Sequence, residues 1–188
     1  MDRAGAGLTV AQTPPLLPEA PAIHQVRLAV RAWLAAHGVR SVAVGLSGGA
    51  DSAALTAAAV AEAESVHAVV VDHRLQAGSD VTASRAAAFA RSRGCATVCV
   101  VPVDVTGPGG PEAAARAARY RALGETRRGM PVLLGHTLDD QAETVLLGLG
   151  RGSGLRSIRG MAEFDDPWAR PLLGIRRDTT RQACDELG

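Results

Sequence analysis

Ser47-Gly48-Gly49-Ala50-Asp51-Ser52 follows the apolar run Val42-Ala43-Val44-Gly45-Leu46 and precedes an alanine-rich stretch that starts at Ala53. The order reads as strand, tight glycine turn and helix N-terminus. Such a turn aims backbone N–H groups and the positive end of a helix dipole at one point, and phosphate is the natural guest. Two adjacent glycines let the backbone approach an anion closely, and Ser47 and Ser52 add hydroxyl donors. Asp51 is the odd member. A carboxylate beside bound phosphates is repulsive unless a cation such as Mg²⁺ sits between them.

Two rival readings of this turn fail on single residues. A Walker-type loop needs Lys before Ser or Thr, and all 20 basic residues of this chain are arginines. The dinucleotide pattern G-x-G-x-x-G is broken by Ser47. Gly45-Leu46-Ser47-Gly48-Gly49 does satisfy the G-x-S-x-G nucleophile elbow of hydrolases. That reading has no His-Gly-Gly-Gly type segment upstream, and only His24 and His37 precede Ser47. The plainest alternative is a glycine turn with no ligand.

The chain has 188 residues, enough for one well-buried core. Its 20 arginines nearly balance 19 Asp and Glu, so bulk charge announces no nucleic-acid partner. Aromatics make up only 3%, which argues against extensive base stacking. No stretch is apolar enough to span a membrane, and the N-terminus lacks the order of a signal peptide. Residues 1–21, rich in Gly, Ala and Pro, read as a loose tail before a domain over 22–188. Cys95 and Cys99 flank the extended run Ala96-Thr97-Val98 and as strand residues would lie roughly 13 Å apart, too far to pair or share a metal. Cys184 is alone. Three free thiols fit a reducing, cytoplasmic compartment.

The rest alternates strand and helix signals. Helices are expected at His24–His37, Ala53–Glu64, Asp80–Arg93, Pro111–Arg128 and Leu138–Leu149, with stops at Gly38 and Gly94. Strands are expected at Val42–Leu46, Val66–Asp72, Thr97–Val103 and Pro131–Gly135. This order predicts an α/β fold: an open, mostly parallel sheet with helices on both faces. Ligands of such sheets bind beyond the carboxyl ends of the strands, and each polar cluster here lies just past a strand.

The second strand ends in Asp72-His73-Arg74-Leu75-Gln76, where His73 could meet a base or ribose or simply sit in a solvated turn. The fourth runs into Gly135-His136-Thr137-Leu138-Asp139-Asp140-Gln141-Ala142-Glu143. Thr137 and Asp140 have capping-box spacing. Asp140 and Glu143 share a helical face and can hold an ammonium group or a metal ion. His136, just before that turn, can act as a base or stabilise developing charge. No Cys or second His has zinc-ligand spacing to it. Next comes Gly150-Arg151-Gly152-Ser153-Gly154, then Arg156 and Arg159, a basic loop suited to phosphates of a nucleotide or an RNA. From Arg119 to Arg159 there are seven arginines against four acids. Arg116 can serve catalysis or packing, and spacing does not decide between them.

SGGADS resembles the signature of the PP-loop ATP pyrophosphatase superfamily, whose fold is that of the adenine nucleotide alpha hydrolases. EAAARAARYRAL (112–123), GHTLDDQAETVLLGLGRGSGLRSIRGM (135–161) and RPLLGIRR (170–177) narrow the resemblance to the tRNA(Ile)-lysidine synthetase family. The likeness covers about residues 40–185 in the family's order. It implies an ATP- and Mg²⁺-dependent ligase. The wobble cytidine of tRNA(Ile) with a CAU anticodon is adenylated with release of pyrophosphate, and free L-lysine then expels AMP to give lysidine. The resemblance assigns ATP to Ser47, Gly48, Gly49, Ala50, Asp51, Ser52, His73 and Gly135, and Mg²⁺ to Asp51 and Asp140. It carries over catalytic roles to His136, Arg116, Asp140 and Glu143, the two acids as holders of the lysine ammonium or of the metal. Arg151, Gly152, Ser153 and Gly154 would face substrate. A homodimer is compatible with it, and no membrane is involved. Adenylation supplies the leaving group, so no protein nucleophile is needed.

The family pattern V-N-H-G-L-R is here Val71-Asp72-His73-Arg74-Leu75-Gln76. Arg74 stands in place of glycine, a strain if that backbone needs positive φ. Family members also continue past the point corresponding to Gly188 with D-x-S-N and R-N-x-x-R patterns and tRNA-gripping regions. The expectation is a truncated catalytic domain that binds ATP and forms little lysidine alone. Two alternatives stay open. A thiolating PP-loop enzyme would bring C-x-x-C, whereas Cys95 and Cys99 have three residues between them. A non-catalytic nucleotide sensor leaves Asp140, Glu143 and the Arg151 loop unexplained.

Overall fold

The computed structural model describes residues 16–106, 110–150 and 159–188. A parallel sheet is built from β1 (Ser41–Gly45), β2 (Ser65–Asp72), β3 (Thr97–Pro102), β4 (Val132–Leu133) and β6 (Trp168–Ala169), and β5 (Phe164–Asp165) runs antiparallel at its edge. The strand order is β3-β2-β1-β4-β6-β5. The chain moves outward from β1 to β3, then returns to the other side of β1 with β4. The reversal between β1 and β4 is a topological switch point, where open α/β sheets leave a crevice at their carboxyl ends.

Strand alternation distributes the core. Val42, Val44, Val66 and Leu133 pack with α1 (Pro21–His37), α2 (Ala50–Glu62) and α6 (Arg177–Leu187). Ala68 and Val70 pack with α3 (Ser79–Arg93) on the same side. Ala43, Val69, Val132 and Leu134 face the opposite side, where Leu123 of α4 (Pro111–Thr126) covers them. The expected helices on both faces are therefore present. Ala54, Ala57, Ala58 and Ala59 are essentially fully buried. Four small side chains let α2 lie close against the sheet and its neighbours.

Several helix ends follow local chemistry. Gly38 and Gly94 take positive φ (62° and 93°) and stop α1 and α3. Pro111 opens α4 with Glu112 in the first turn. α2 begins at Ala50, three residues before the expected Ala53, so Asp51 and Ser52 belong to its first turn. The expected fourth strand, Pro131–Gly135, is shortened to Val132–Leu133, the two residues that pair with both β1 and β6. The α4 helix ends at Thr126 rather than Arg128, which has φ of 55°. Beyond α5 (Leu138–Gly150), the β5–β6 hairpin and α6 were not foreseen.

The chain ends are joined through a side chain. α1 has no side-chain cap of its own from Ala20. The Glu186 carboxylate of α6 takes that role, accepting from the backbone N–H of Ala22 (3.3 Å) and Ile23 (2.9 Å). A carboxylate at a helix N-terminus also complements the dipole. On the other flank of α1, Glu62 of α2 accepts from Arg27 and Arg31, each at 2.7 Å.

Candidate active site

The crevice at the switch point is lined by the end of β1 and the following turn (Gly45 to Ser47, Gly49, Asp51, Ser52), by His73 after β2, by Gly135 and His136 after β4, and by Arg119 of α4. Gly48, with φ of 86°, makes the tight turn before α2. That left-handed φ is one that glycine adopts without steric cost. No side chain caps the α2 N-terminus, so its first N–H groups are left for an external acceptor. Gly48 and Ala50 lie in the same turn although neither lines the crevice.

The two serines brace the turn. Ser52 Oγ donates to the Gly49 carbonyl (2.9 Å) and accepts from the Ser47 N–H (3.2 Å), with Ser47 Oγ at 3.1 Å. Among the described hydrogen bonds the Ser47 hydroxyl meets Ser52 and no histidine. The nucleophile-elbow alternative therefore lacks its general base.

Three crevice residues carry buried polar atoms with no partner among the described residues: His73 Nδ1, His136 Nδ1 and Arg119 Nε. Orphaned buried groups cost stability, and the three residues that carry them all line this one concave site. Burial pushes the His136 imidazole down to about 4, aided by the Arg170 and Arg119 charges, with Asp140 opposing and Arg116 adding to the fall. His136 is thus neutral near pH 7. His73 is lowered as well, by burial and then by Arg119. Arg119 acts on both rings and Arg170 on His136, and neither arginine was singled out from sequence. A neutral imidazole beside two guanidinium groups suits an anionic guest.

Asp140 and Glu143 are held outside this lining. Thr137 donates to Asp140 Oδ2 from both its N–H and its hydroxyl, each at 2.7 Å, so the capping box is formed. Arg177 of α6 donates Nη2 to Asp140 Oδ1 (2.7 Å) and Nη1 to Glu143 Oε1 (3.0 Å). Burial works to raise the Asp140 carboxyl, but hydrogen bonds from Thr137 and Arg177 outweigh it and hold it below the usual range. A cation therefore already sits between the two carboxylates expected to hold one. Arg116, by contrast, is exposed on α4, stacked over Tyr120 at 4.9 Å and donating to its hydroxyl at 3.2 Å. Arg151, Gly152, Ser153 and Gly154 lie outside the described residues. Where that segment rejoins, Gln141 clasps the chain through its Nε2 to the Met161 carbonyl (2.9 Å) and its Oε1 to the Met161 N–H (2.6 Å).

Asp51 is the cleft's carboxylate and accepts a hydrogen bond from the buried Thr180 hydroxyl of α6. Among the described residues no three His, Cys, Asp or Glu side chains gather as a metal site. A cation at Asp51 would take its other ligands from phosphates and water, and the donors on hand there, a carboxylate and two hydroxyls, are oxygens that suit Mg²⁺. The cysteines offer nothing comparable: burial pushes the Cys95 thiol up to about 12. Among the described residues no helix is long and apolar enough to cross a membrane.

The arrangement agrees with known proteins. Residues 23–187 match the PP-loop domain family. Over 174 residues the chain is 69% identical to a tRNA(Ile)-lysidine synthase of Rhodococcus jostii, covering 92% of this chain and 54% of that protein. It is 65% identical over 166 residues to the one from Nocardia farcinica, covering 87% of this chain and 52% of that protein. The chain thus spans about half the length of the curated relatives it matches. The fold resembles that of the glutamine-dependent NAD⁺ synthetase from Acinetobacter baumannii solved with ADP, with a TM-score of 0.56 and 21% identity over 93% of this chain and 34% of that one. The glycine turn at the switch point, its uncapped helix and a family match from one end of the fold to the other agree: the chain belongs to the PP-loop domain family.

Proposed function

We propose that this chain is the ATP-binding, cytidine-activating part of a tRNA(Ile)-lysidine synthase. The observation that carries the reading is the uncapped α2 N-terminus at a crevice lined by His73, Arg119 and His136, in a chain 69% identical over 174 residues to a protein of that name. The substrates are ATP, tRNA(Ile) with a CAU anticodon and free L-lysine, and the setting is the cytoplasm. A homodimer remains compatible.

The turn from Ser47 to Ser52 cradles the pyrophosphate end of ATP through Gly48, Gly49 and Ala50 backbone N–H groups and the serine hydroxyls. Asp51 holds Mg²⁺, which when bound neutralises the phosphates. His73 and Gly135 border the nucleoside. The cytidine carbonyl oxygen attacks the α-phosphorus, and pyrophosphate leaves. Arg119, with Arg116 nearby on the same helix, offsets negative charge that builds on the phosphates. His136, neutral at pH 7, can accept a proton from the incoming lysine amine or donate a hydrogen bond. The lysine ε-amine bonds to ring position two of the cytidine, and AMP departs with the oxygen. Asp140 and Glu143, which Arg177 bridges in this structure, exchange that guanidinium for an ammonium of the amino acid, and Arg151, Gly152, Ser153 and Gly154 are assigned to the RNA substrate.

Isothermal titration of the folded chain with a non-hydrolysable ATP analogue and Mg²⁺ tests the first half. Saturable one-to-one binding is expected, and a folded sample that binds nothing refutes it. Pyrophosphate release on adding tRNA(Ile) bearing the CAU anticodon, but not tRNA(Ile) with a GAU anticodon, tests the second.

A further inference from the structure

Asp51 lines the crevice from the first turn of α2, yet its hydrogen-bond partner lies 129 residues away on α6. That partner, Thr180, is completely buried. Its hydroxyl has one proton and two acceptors in reach: Asp51 Oδ1 and, at 2.7 Å, the carbonyl of Arg177. A threonine in a helix ordinarily satisfies its hydroxyl by back-bonding to a carbonyl three or four residues earlier. The Arg177 carbonyl is such an acceptor, so Thr180 needs nothing from Asp51 to be satisfied. The Arg177 carbonyl also belongs to the backbone ladder of α6, which can satisfy it without the hydroxyl, so the single proton is free to go to the Asp51 carboxylate.

The α6 start is itself held in register. The Arg177 N–H donates to Asp139 Oδ2 at 2.8 Å, and the Arg177 side chain spans Asp140 and Glu143. Three acids of α5 thus fix the turn that carries Thr180. Among the described hydrogen bonds only Oδ1 of Asp51 is engaged. We propose that Thr180 is a positioning residue: its hydroxyl holds Oδ1 of Asp51 so that Oδ2 faces the cation of a metal–nucleotide substrate. This rests on the Mg²⁺–ATP reading of the crevice given above.

The test is the Mg²⁺ concentration at which a non-hydrolysable ATP analogue is half-maximally bound, measured by titration calorimetry on the whole chain. Thr180→Val removes the hydroxyl at near-constant volume, and Thr180→Ala is a second hydroxyl-free variant should valine not fold. Either should raise the Mg²⁺ midpoint about tenfold, and Thr180→Ser should return it to within about threefold of the parent, given the usual worth of a hydrogen bond to a charged group. Binding of the analogue in EDTA should not change. A purely structural threonine would lower the melting temperature and leave the Mg²⁺ midpoint where it was. That result, or an equal loss in EDTA, overturns the positioning role. Asp51→Asn separates the two levels. If it too leaves the midpoint untouched, the metal assignment fails and the proposal with it. If it abolishes Mg²⁺ dependence while the valine and alanine variants do not shift it, the positioning role alone is wrong.

Discussion

Gly135 lies directly against the backbone of Asp51. A Cβ built on Gly135 would stand 3.1 Å from the Asp51 carbonyl carbon and 3.1 Å from the Ser52 nitrogen. The turn after β4 and the phosphate-binding turn after β1 are thus pressed together with no room for a methyl group. Gly135 is a spacer that sets the width of the crevice, and its own backbone is not in the positive-φ region.

Gly135→Ala should therefore push α2 from the sheet and misplace the first-turn N–H groups. Overpacking of this kind costs about 1–3 kcal/mol. Chemical denaturation should show that loss, and ATP-analogue affinity should fall by more than stability alone requires. Gly174→Ala is the control, because a Cβ there meets nothing within 4 Å. Equal behaviour of the two variants would remove the spacer role.

How much of this was legible in advance depends on sequence distance. The glycine turn and the Thr137–Asp140 box are local patterns, and both formed as expected. The α6 contacts are not local: Arg177 meets Asp140 across 37 residues, and Thr180 meets Asp51 across 129. No periodicity in α5 or α2 announces them. β5 and β6 are two residues each, too short for alternation to register. Arg116 and Arg119 are neighbours on one helical face, so spacing could not say that Arg119 lines the crevice while Arg116 stacks on Tyr120.

His136 makes stability depend on pH in a defined window. Its folded value is about 4, against about 6.5 in an unfolded chain. Between those values the unfolded chain binds a proton that the folded chain refuses. Stability is therefore full above about pH 6.5 and falls as pH drops toward 4, by at most about 3 kcal/mol from this group. His67 and His73 are lowered too and add loss of the same sign. Urea denaturation from pH 7.5 to 4.5 should show a shallower slope in His136→Asn than in the parent. Identical slopes would mean that His136 is not buried neutral.

Asp140 has a structural task and a proposed functional one, and two substitutions separate them. Asp140→Ala removes the acceptor for the Thr137 N–H and hydroxyl, a capping loss of about 1–2 kcal/mol. Asp140→Asn keeps an acceptor for those donors but loses the charge that Arg177 and an ammonium would share. Thermal unfolding should rank the parent first, then asparagine, then alanine. The KM for lysine in the tRNA-dependent assay should instead rise comparably in both variants. A lysine KM that tracks stability would leave Asp140 as a cap alone.

Arg74 stands at φ of 53°, the left-handed region that the family's glycine would occupy freely. Its N–H donates to Asp72 Oδ1 at 3.0 Å. That bond leads the causes holding the Asp72 carboxyl below its usual range. The local Asp72 bond thus supports a turn that a non-glycine residue resists. Arg74→Gly should relieve roughly 1 kcal/mol of backbone strain. The gain should appear in urea denaturation as a higher midpoint at unchanged slope. Nucleotide affinity should hold or improve, since His73 beside it stays in the crevice lining. A lower midpoint would show that the arginine side chain makes a contribution larger than the strain it imposes.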